Sequence, residues 1–292
     1  MKPLAGKRIL VCGKGGRGKS SLATLIADDL LHREYRVALV DGDASNPGGL
    51  ARLVLGEGVG PKPLIEFFGG REKVLCPVDD PSPLLRLTDL KPVAETCLSL
   101  EEIPFQYFVG RGNLVLFQVG KIREAYEGCD GPMSKVTRDF ILKGDYVTII
   151  DVEAGIEHFG RGVEQHVDII LIIVDPAFES FEIAKRITEL CVMMGIQNVW
   201  AILNTVFSEQ AATKMHASLQ NRGVNILGSV RHDPEVQKAG LEGLAIGPCR
   251  SKEDIAVCVS NLEALPGQQA ASLTISRRQE FLRDTNAGKG GS

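Results

Sequence analysis

The segment Gly13-Lys14-Gly15-Gly16-Arg17-Gly18-Lys19-Ser20 constrains this chain more than any other. It fits GxxxxGK[ST], directly follows the apolar run Arg8 to Cys12, and precedes Leu22, Leu25, Ile26 and Leu30 at helical spacing. Between a strand and a helix, such a loop curls into a ring of backbone N–H donors, because its glycines place no Cβ in the way. The helix N-terminus behind it adds a positive dipole. That ring suits a polyphosphate. Gly13, Gly15, Gly16, Arg17, Gly18, Lys19, Ser20 and Ser21 are therefore the expected contacts to ATP, with Lys19 reaching the β- and γ-phosphate oxygens and Ser20 ligating Mg²⁺.

The rest of the chain repeats the strand–helix alternation. Further short apolar runs lie at Val37 to Val40, Leu114 to Val119, Tyr146 to Ile150, Asp168 to Val174, Val199 to Leu203 and Ile226 to Val230. Hydrophobicity that is continuous rather than alternating marks strands covered on both faces. Helical patterns such as Ile183, Ile187, Leu190 and Met194 lie between them. The expected fold is α/β, a doubly wound and mostly parallel sheet with helices on both faces. It is expected to form one P-loop ATPase domain over residues 1–265. Within it, residues 44–112 carry Pro61, Pro63, Pro77, Pro81 and Pro83, which predict an elaborated insertion with a hairpin around Val74 to Leu87. Residues 266–292 are expected to be a C-terminal helix, with Leu273, Ile275, Phe281 and Leu282 on one face, and a flexible glycine-rich tail.

Two runs end in acids, where ligands bind in such sheets. Asp41 and Asp43 close the second run, and Asp151 closes Tyr146 to Ile150 with Gly155 four residues on. Asp151 is then expected to hold Mg²⁺ through water, while the Gly155 N–H approaches the γ-phosphate. Asp43 can alternatively cap the following helix, and Gly155 can serve only as a turn.

With Lys14 as its second residue, the loop reads KGGxGKS, and the chain resembles the deviant Walker A ATPases. That group includes the septum-placing and partition ATPases and the nitrogenase iron protein. The resemblance implies a homodimer formed on ATP binding, in which Lys14 reaches the partner's nucleotide. It makes Asp43 the residue that orients the attacking water, with Lys14, Lys19 and Asp43 as the catalytic set, and Asp41 a support of the Mg²⁺ shell. It also implies that Asn204 and the segment at Asp233 cradle the adenine, although Thr205 stands where many members carry lysine.

A narrower resemblance spans roughly residues 7–265, judged by motif order. The string Asp151-Val152-Glu153-Ala154-Gly155-Ile156-Glu157-His158-Phe159-Gly160-Arg161-Gly162 looks like the second switch of the nickel-insertion ATPases that mature carbon monoxide dehydrogenase. Gly128-Cys129-Asp130-Gly131-Pro132-Met133 occupies the place of that family's metal-binding CxC followed by proline, with Gly131 where the second cysteine would be. The implied function is maturation of a metalloenzyme client, with Cys129 a candidate ligand for Ni²⁺ or Zn²⁺. One thiolate per subunit is a weak site unless Met133, His158 or another cysteine contributes. His158 itself is expected to be a partly exposed polar residue. Two alternatives stand beside this reading: an Fe–S cluster on Cys97 and Cys129 across a dimer axis, and a spatial organiser that handles no metal.

Composition limits the partners. A net charge of -4 and a pI near 5.8 give no global positive field, so neither nucleic acid nor an anionic membrane is an expected partner. No run approaches the roughly 20 apolar residues that span a bilayer, and the N-terminus has no leader pattern. A cytoplasmic protein is expected. Its seven cysteines form no CxxC pair, which argues against a disulfide framework.

Overall fold

A computed structural model describes residues 2–265 apart from Glu57, Val59, Ala154 and Gly155. The helix and tail expected over 266–292 lie outside the described residues, as does Gly155.

Strand β1 (Arg8–Gly13) leads through the glycine loop into α1 (Lys19–His32), and β2 (Val37–Asp41) follows. The insertion holds three short helices, α2 (Gly49–Leu55), α3 (Leu64–Phe67) and α4 (Val93–Thr96), and ends in β3 (Val109–Arg111), after which comes β4 (Leu114–Gln118). Then come α5 (Gly131–Asp139), β5 (Val147–Asp151), α6 (Glu157–Gly160), β6 (Ile169–Val174), α7 (Phe178–Met193), β7 (Val199–Val206), α8 (Glu209–Gln220), β8 (Ile226–Arg231), α9 (Pro234–Glu242) and α10 (Ser251–Glu263).

The strands form one sheet in the order β3-β4-β2-β5-β1-β6-β7-β8. Every pairing is parallel except β3 with β4. All seven expected strands are present. The addition is β3, a three-residue antiparallel edge too short to leave a periodic signal. Strand β1 has β5 on one side and β6 on the other, and the chain leaves it first towards β2 and later returns to build the β6–β8 side. The glycine loop thus sits where the winding changes direction, the crevice in which open α/β sheets bind ligands.

Successive residues of a strand point to opposite faces, so each strand feeds two cores. Ile9 and Val11 pack with Leu22, Leu25, Ile26 and Leu30 of α1 and with α10. Leu10 and Cys12 join Met133 and Val136 of α5 and Ile187 and Cys191 of α7. Burial on both sides is why the strands read as unbroken apolar runs.

The insertion folds over α5. Lys135 on that helix is 3% exposed, and its Nζ lies 2.7 Å from a carboxylate oxygen of Asp80. The Leu84 N–H donates to Asp139 at 2.7 Å. The hairpin expected around Val74 to Leu87 is instead a single antiparallel bridge, Leu85 with Pro92. The prolines at 77, 81 and 83 lack the N–H that a ladder needs, so pairing begins only beyond them. Among the described residues, no helix is long and apolar enough to cross a membrane.

Candidate nucleotide site

Two close approaches show why the loop must be glycine-rich. A Cβ on Gly13 would sit 2.5 Å from the Ile173 carbonyl oxygen, and the residue has φ +132°. At Gly18, with φ +85°, a Cβ would lie 2.6 Å from Nδ2 of Asn204. That amide donates to the Arg17 carbonyl at 2.8 Å, so Asn204 braces the loop from the end of β7. Lys19 is 6% exposed, and its Nζ is 3.4 Å from the Lys14 carbonyl, a long contact that leaves the ammonium available to a stronger anion.

Where α1 begins and β5 ends, Ser20 Oγ donates to Asp151 Oδ2 at 2.5 Å. Asp151 is fully buried, and its Oδ1 has no hydrogen-bond partner among the described residues. Burial raises its carboxyl to about 7, with the Ser20 hydroxyl and Lys19 opposing the rise and Asp41 and Asp43 adding to it. A hydroxyl bonded to a buried carboxylate with one free oxygen is a donor set that suits a hard cation or its waters. Mg²⁺ therefore fits Ser20 and Asp151.

Asp41 is committed elsewhere. Its Oδ1 pairs with Lys121 Nζ at 2.9 Å and its Oδ2 accepts from the Leu50 N–H at 3.2 Å, with both side chains almost fully buried. Lys121 also donates to the Asp43 carbonyl at 2.5 Å, and a side chain on Gly49 would fall onto the Asp41 carboxylate. Lys121 has no role in the sequence analysis. The available signal was a buried strand-end acid on β2, which needs a counter-cation from the loop that follows the adjoining β4. Asp43 turns back on its own loop and accepts from the Ser45 N–H at 2.9 Å and the Ser45 hydroxyl at 2.7 Å.

Gly16, Lys19, Ser20, Asp43, Asn204 and Asp233 all border one open cavity of about 880 Å³. Asp233 also caps α9, accepting from Glu235 at 3.1 Å and from Ser251 at 2.7 Å. Phe207 and His232, which sequence reading passed over, stack at 4.8 Å on the same cavity and offer an aromatic wall for a base. Lys14 lies outside, 3.2 Å from Glu179 in an exposed pair that water screens. Arg17 pairs with the buried Asp175 at 3.1 Å.

A second cavity of about 300 Å³ lies behind Gly42, among Asp130, Thr137, Glu153, His158 and Arg161. His158, expected to be partly exposed, is instead 5% exposed, and neither ring nitrogen has a partner among the described residues. Packing of Phe159 at 4.4 Å and of the following loop encloses it. Burial, reinforced by Lys19 and Arg161, lowers its pKa to about 3. Between the ordinary value near 6.5 and that value, the unfolded chain binds a proton that the folded chain does not. Stability is thus lost as pH falls through this window, by up to about 1.4 kcal/mol per pH unit from this residue. His158→Phe should flatten the acid limb of stability against pH, measured by urea unfolding at pH 7 and pH 4.5. An unchanged slope would place the acid sensitivity elsewhere.

Arg161 forms an ion pair with Asp130, tying the segment after β5 to the loop that carries Cys129. Cys129 is exposed. Cys97 is not beside it: Leu98 bridges Leu142 beyond the C-terminal end of α5, whereas Cys129 precedes the N-terminal end. A helix of 9 residues, about 14 Å, separates the two places. The structure does not bring together the pair that an Fe–S cluster would need.

Known proteins align with this geometry. Residues 9–246 match the CobQ/CobB/MinD/ParA nucleotide binding domain. An ATP-binding protein of uncharacterised function from Methanocaldococcus jannaschii is 36% identical over 81% of this chain and 92% of its own length. The carbon monoxide dehydrogenase accessory protein CooC of Rhodospirillum rubrum is 30% identical over 84% of this chain and 92% of its own. Among solved structures, the septum site-determining protein MinD of Pyrococcus horikoshii, complexed with Mg-ADP, superposes with a TM-score of 0.60. It is 15% identical and covers 91% of this chain and 99% of that one.

Proposed function

Since the chain belongs to the CobQ/CobB/MinD/ParA nucleotide-binding family, we propose that it is an Mg-ATP-dependent ATPase whose nucleotide cycle closes and opens a homodimer in the service of metalloenzyme maturation. Nickel insertion for a carbon monoxide dehydrogenase-like client is the proposed task. The observation that carries this reading is the 30% identity with CooC over 84% of this chain and 92% of CooC. An exposed Cys129, tied through Asp130 and Arg161 to the segment after the Asp151 strand, agrees with it.

In the proposed cycle the loop amides and Lys19 bind the phosphates, and Phe207 and His232 stack on the base. Asn204 holds the loop in shape. Ser20 and Asp151 are the residues that would hold Mg²⁺, which when bound neutralises charge between the β- and γ-phosphates. Asp43 leaves Ser45 to orient the attacking water. Lys14 exchanges Glu179 for a phosphoryl group across the dimer, where charge spreads in the transition state.

The test is the mass of the reduced protein in solution with and without Mg-ATP, together with its nickel and zinc content. A monomer that becomes a dimer carrying about one metal ion is the expected result for a site shared between subunits. An ATP-dependent dimer that binds no metal would remove the maturation reading and leave the ATPase. Co-sedimentation of the ATP form with liposomes or DNA at low salt would favour a positioning ATPase of the septum or partition type.

A further inference from the structure

The cysteine missing at position 131 is replaced in space. A Cβ built on Gly131 would lie 2.4 Å from Sγ of Cys76, 2.8 Å from Cβ of Cys76 and 3.3 Å from Sγ of Cys129. Cys76 therefore occupies the room that a side chain at 131 would take. The two sulfurs flank that one point and lie at most 5.7 Å apart, the sum of the two sulfur distances. No spacing rule could have paired residues 53 positions apart in the chain.

The convergence is held by the fold rather than by one rotamer. Arg71 donates from Nη1 to the Cys129 carbonyl at 2.7 Å and pairs through Nε with Glu127 at 3.3 Å, so the segment before Cys76 grips the segment before α5. On the other side, the Cys76 carbonyl accepts from the Asp79 and Asp80 amides at 3.0 and 2.8 Å. Asp80 is in turn fixed to Lys135 of α5. Cys129 is exposed and Cys76 half-buried, so the pair opens to solvent. Burial pushes the thiols of Cys12, Cys97, Cys191, Cys249 and Cys258 upward, Cys191 and Cys258 to about 12.

We propose that Cys76 and Cys129 are one dithiol site for a thiophilic divalent cation, zinc or nickel, with Cys76 supplying the sulfur that position 131 lacks. The site deepens the metal-handling function proposed above and rests on it for its biological role. Tetrahedral zinc with bonds near 2.3 Å sets two sulfurs about 3.8 Å apart, inside the ceiling that the geometry allows. Binding releases one proton from each thiol as the two sulfur–metal bonds form. Two sulfurs fill half of a four-coordinate shell, and the remaining positions stay open to water or to a second copy of the site. An open shell suits an ion that must be handed on rather than kept.

Cadmium titration of the reduced full-length chain, followed by its thiolate-to-metal charge-transfer absorption, tests the pairing, with zinc and nickel affinities measured by competition. Cys76→Ser and Cys129→Ser should each weaken binding on the order of 100-fold or more, since a direct ligand is worth at least what its supporting residues are. Gly131→Ala removes no sulfur but drives a methyl group into Cys76, and should weaken binding as well. Retained ATP binding and an unchanged melting temperature in the serine variants exclude misfolding. Full affinity in Cys76→Ser with loss in Cys129→Ser would overturn the pairing and leave Cys129 alone in the metal-handling reading. Phenylarsine oxide, which bridges close thiols whatever the protein's role, should load at one per chain and fail in either serine variant. Arsenical loading without any affinity for zinc, nickel or cadmium would overturn the cation assignment, and failure of reduced wild type to load would overturn the convergence itself.

Discussion

Lys19→Ala should lose Mg-ATP binding by about 100- to 1000-fold, or roughly 3–4 kcal/mol, the worth of two charge-assisted hydrogen bonds. The side chain is 6% exposed and the hydrogen bond its Nζ makes is a 3.4 Å contact to the Lys14 carbonyl, so most of its donor capacity is unused until phosphate arrives. Removing an undersatisfied buried cation does not weaken the empty fold as removing a paired one would. Binding should therefore fail while the melting temperature of the nucleotide-free protein holds. Calorimetric titration with ATP, run beside thermal unfolding, separates the two. Wild-type affinity in the variant would remove Lys19 from the phosphate site.

Asp43→Ala should behave in the opposite way, binding ATP normally while turnover falls by a factor on the order of 10²–10³, the usual contribution of a positioned acid–base group. In the structure the carboxylate is occupied with the amide and hydroxyl of Ser45. That contact supplies the control. If Asp43 acts only through its contact with the Ser45 hydroxyl, Ser45→Ala should impair turnover as much as Asp43→Ala does. If Asp43 orients water, Ser45→Ala removes the hydroxyl contact, keeps the amide one and leaves most of the rate. Single-turnover hydrolysis with saturating ATP distinguishes these outcomes, and normal turnover by Asp43→Ala would end the assignment.

The central parallel strands could be read from the chain because they are buried on both faces and read as uninterrupted apolar runs, with the loop at Gly13 to Ser20 anchoring the order. Local chemistry sufficed there. It did not suffice where a residue's meaning comes from a distant partner. Lys121 looks like an ordinary loop lysine until β4 is placed against β2, when it becomes the cation that holds Asp41. His158 has the composition of a surface histidine, and only the packing around it encloses it. Arg161 and Asp130 are 31 positions apart and meet through tertiary folding. Cys76 lies in the proline-broken insertion, whose path over α5 no periodicity encodes. Asn204, which the family resemblance places at the adenine, also braces the phosphate loop through its amide, a contact 187 positions long that no spacing encodes.

The ion pair between Arg161 and Asp130 joins two places of the proposed cycle. One is the stretch that follows Asp151, which responds to phosphate in the proposed cycle. The other is the sulfur-bearing loop ahead of α5. Thermodynamic linkage runs both ways through such a joint: if ATP alters the affinity of the thiols for a cation by some factor, the cation alters the affinity for ATP by that same factor. A loaded chain and an empty one would then differ in how readily they take up nucleotide. The cargo would itself help to set when the cycle starts.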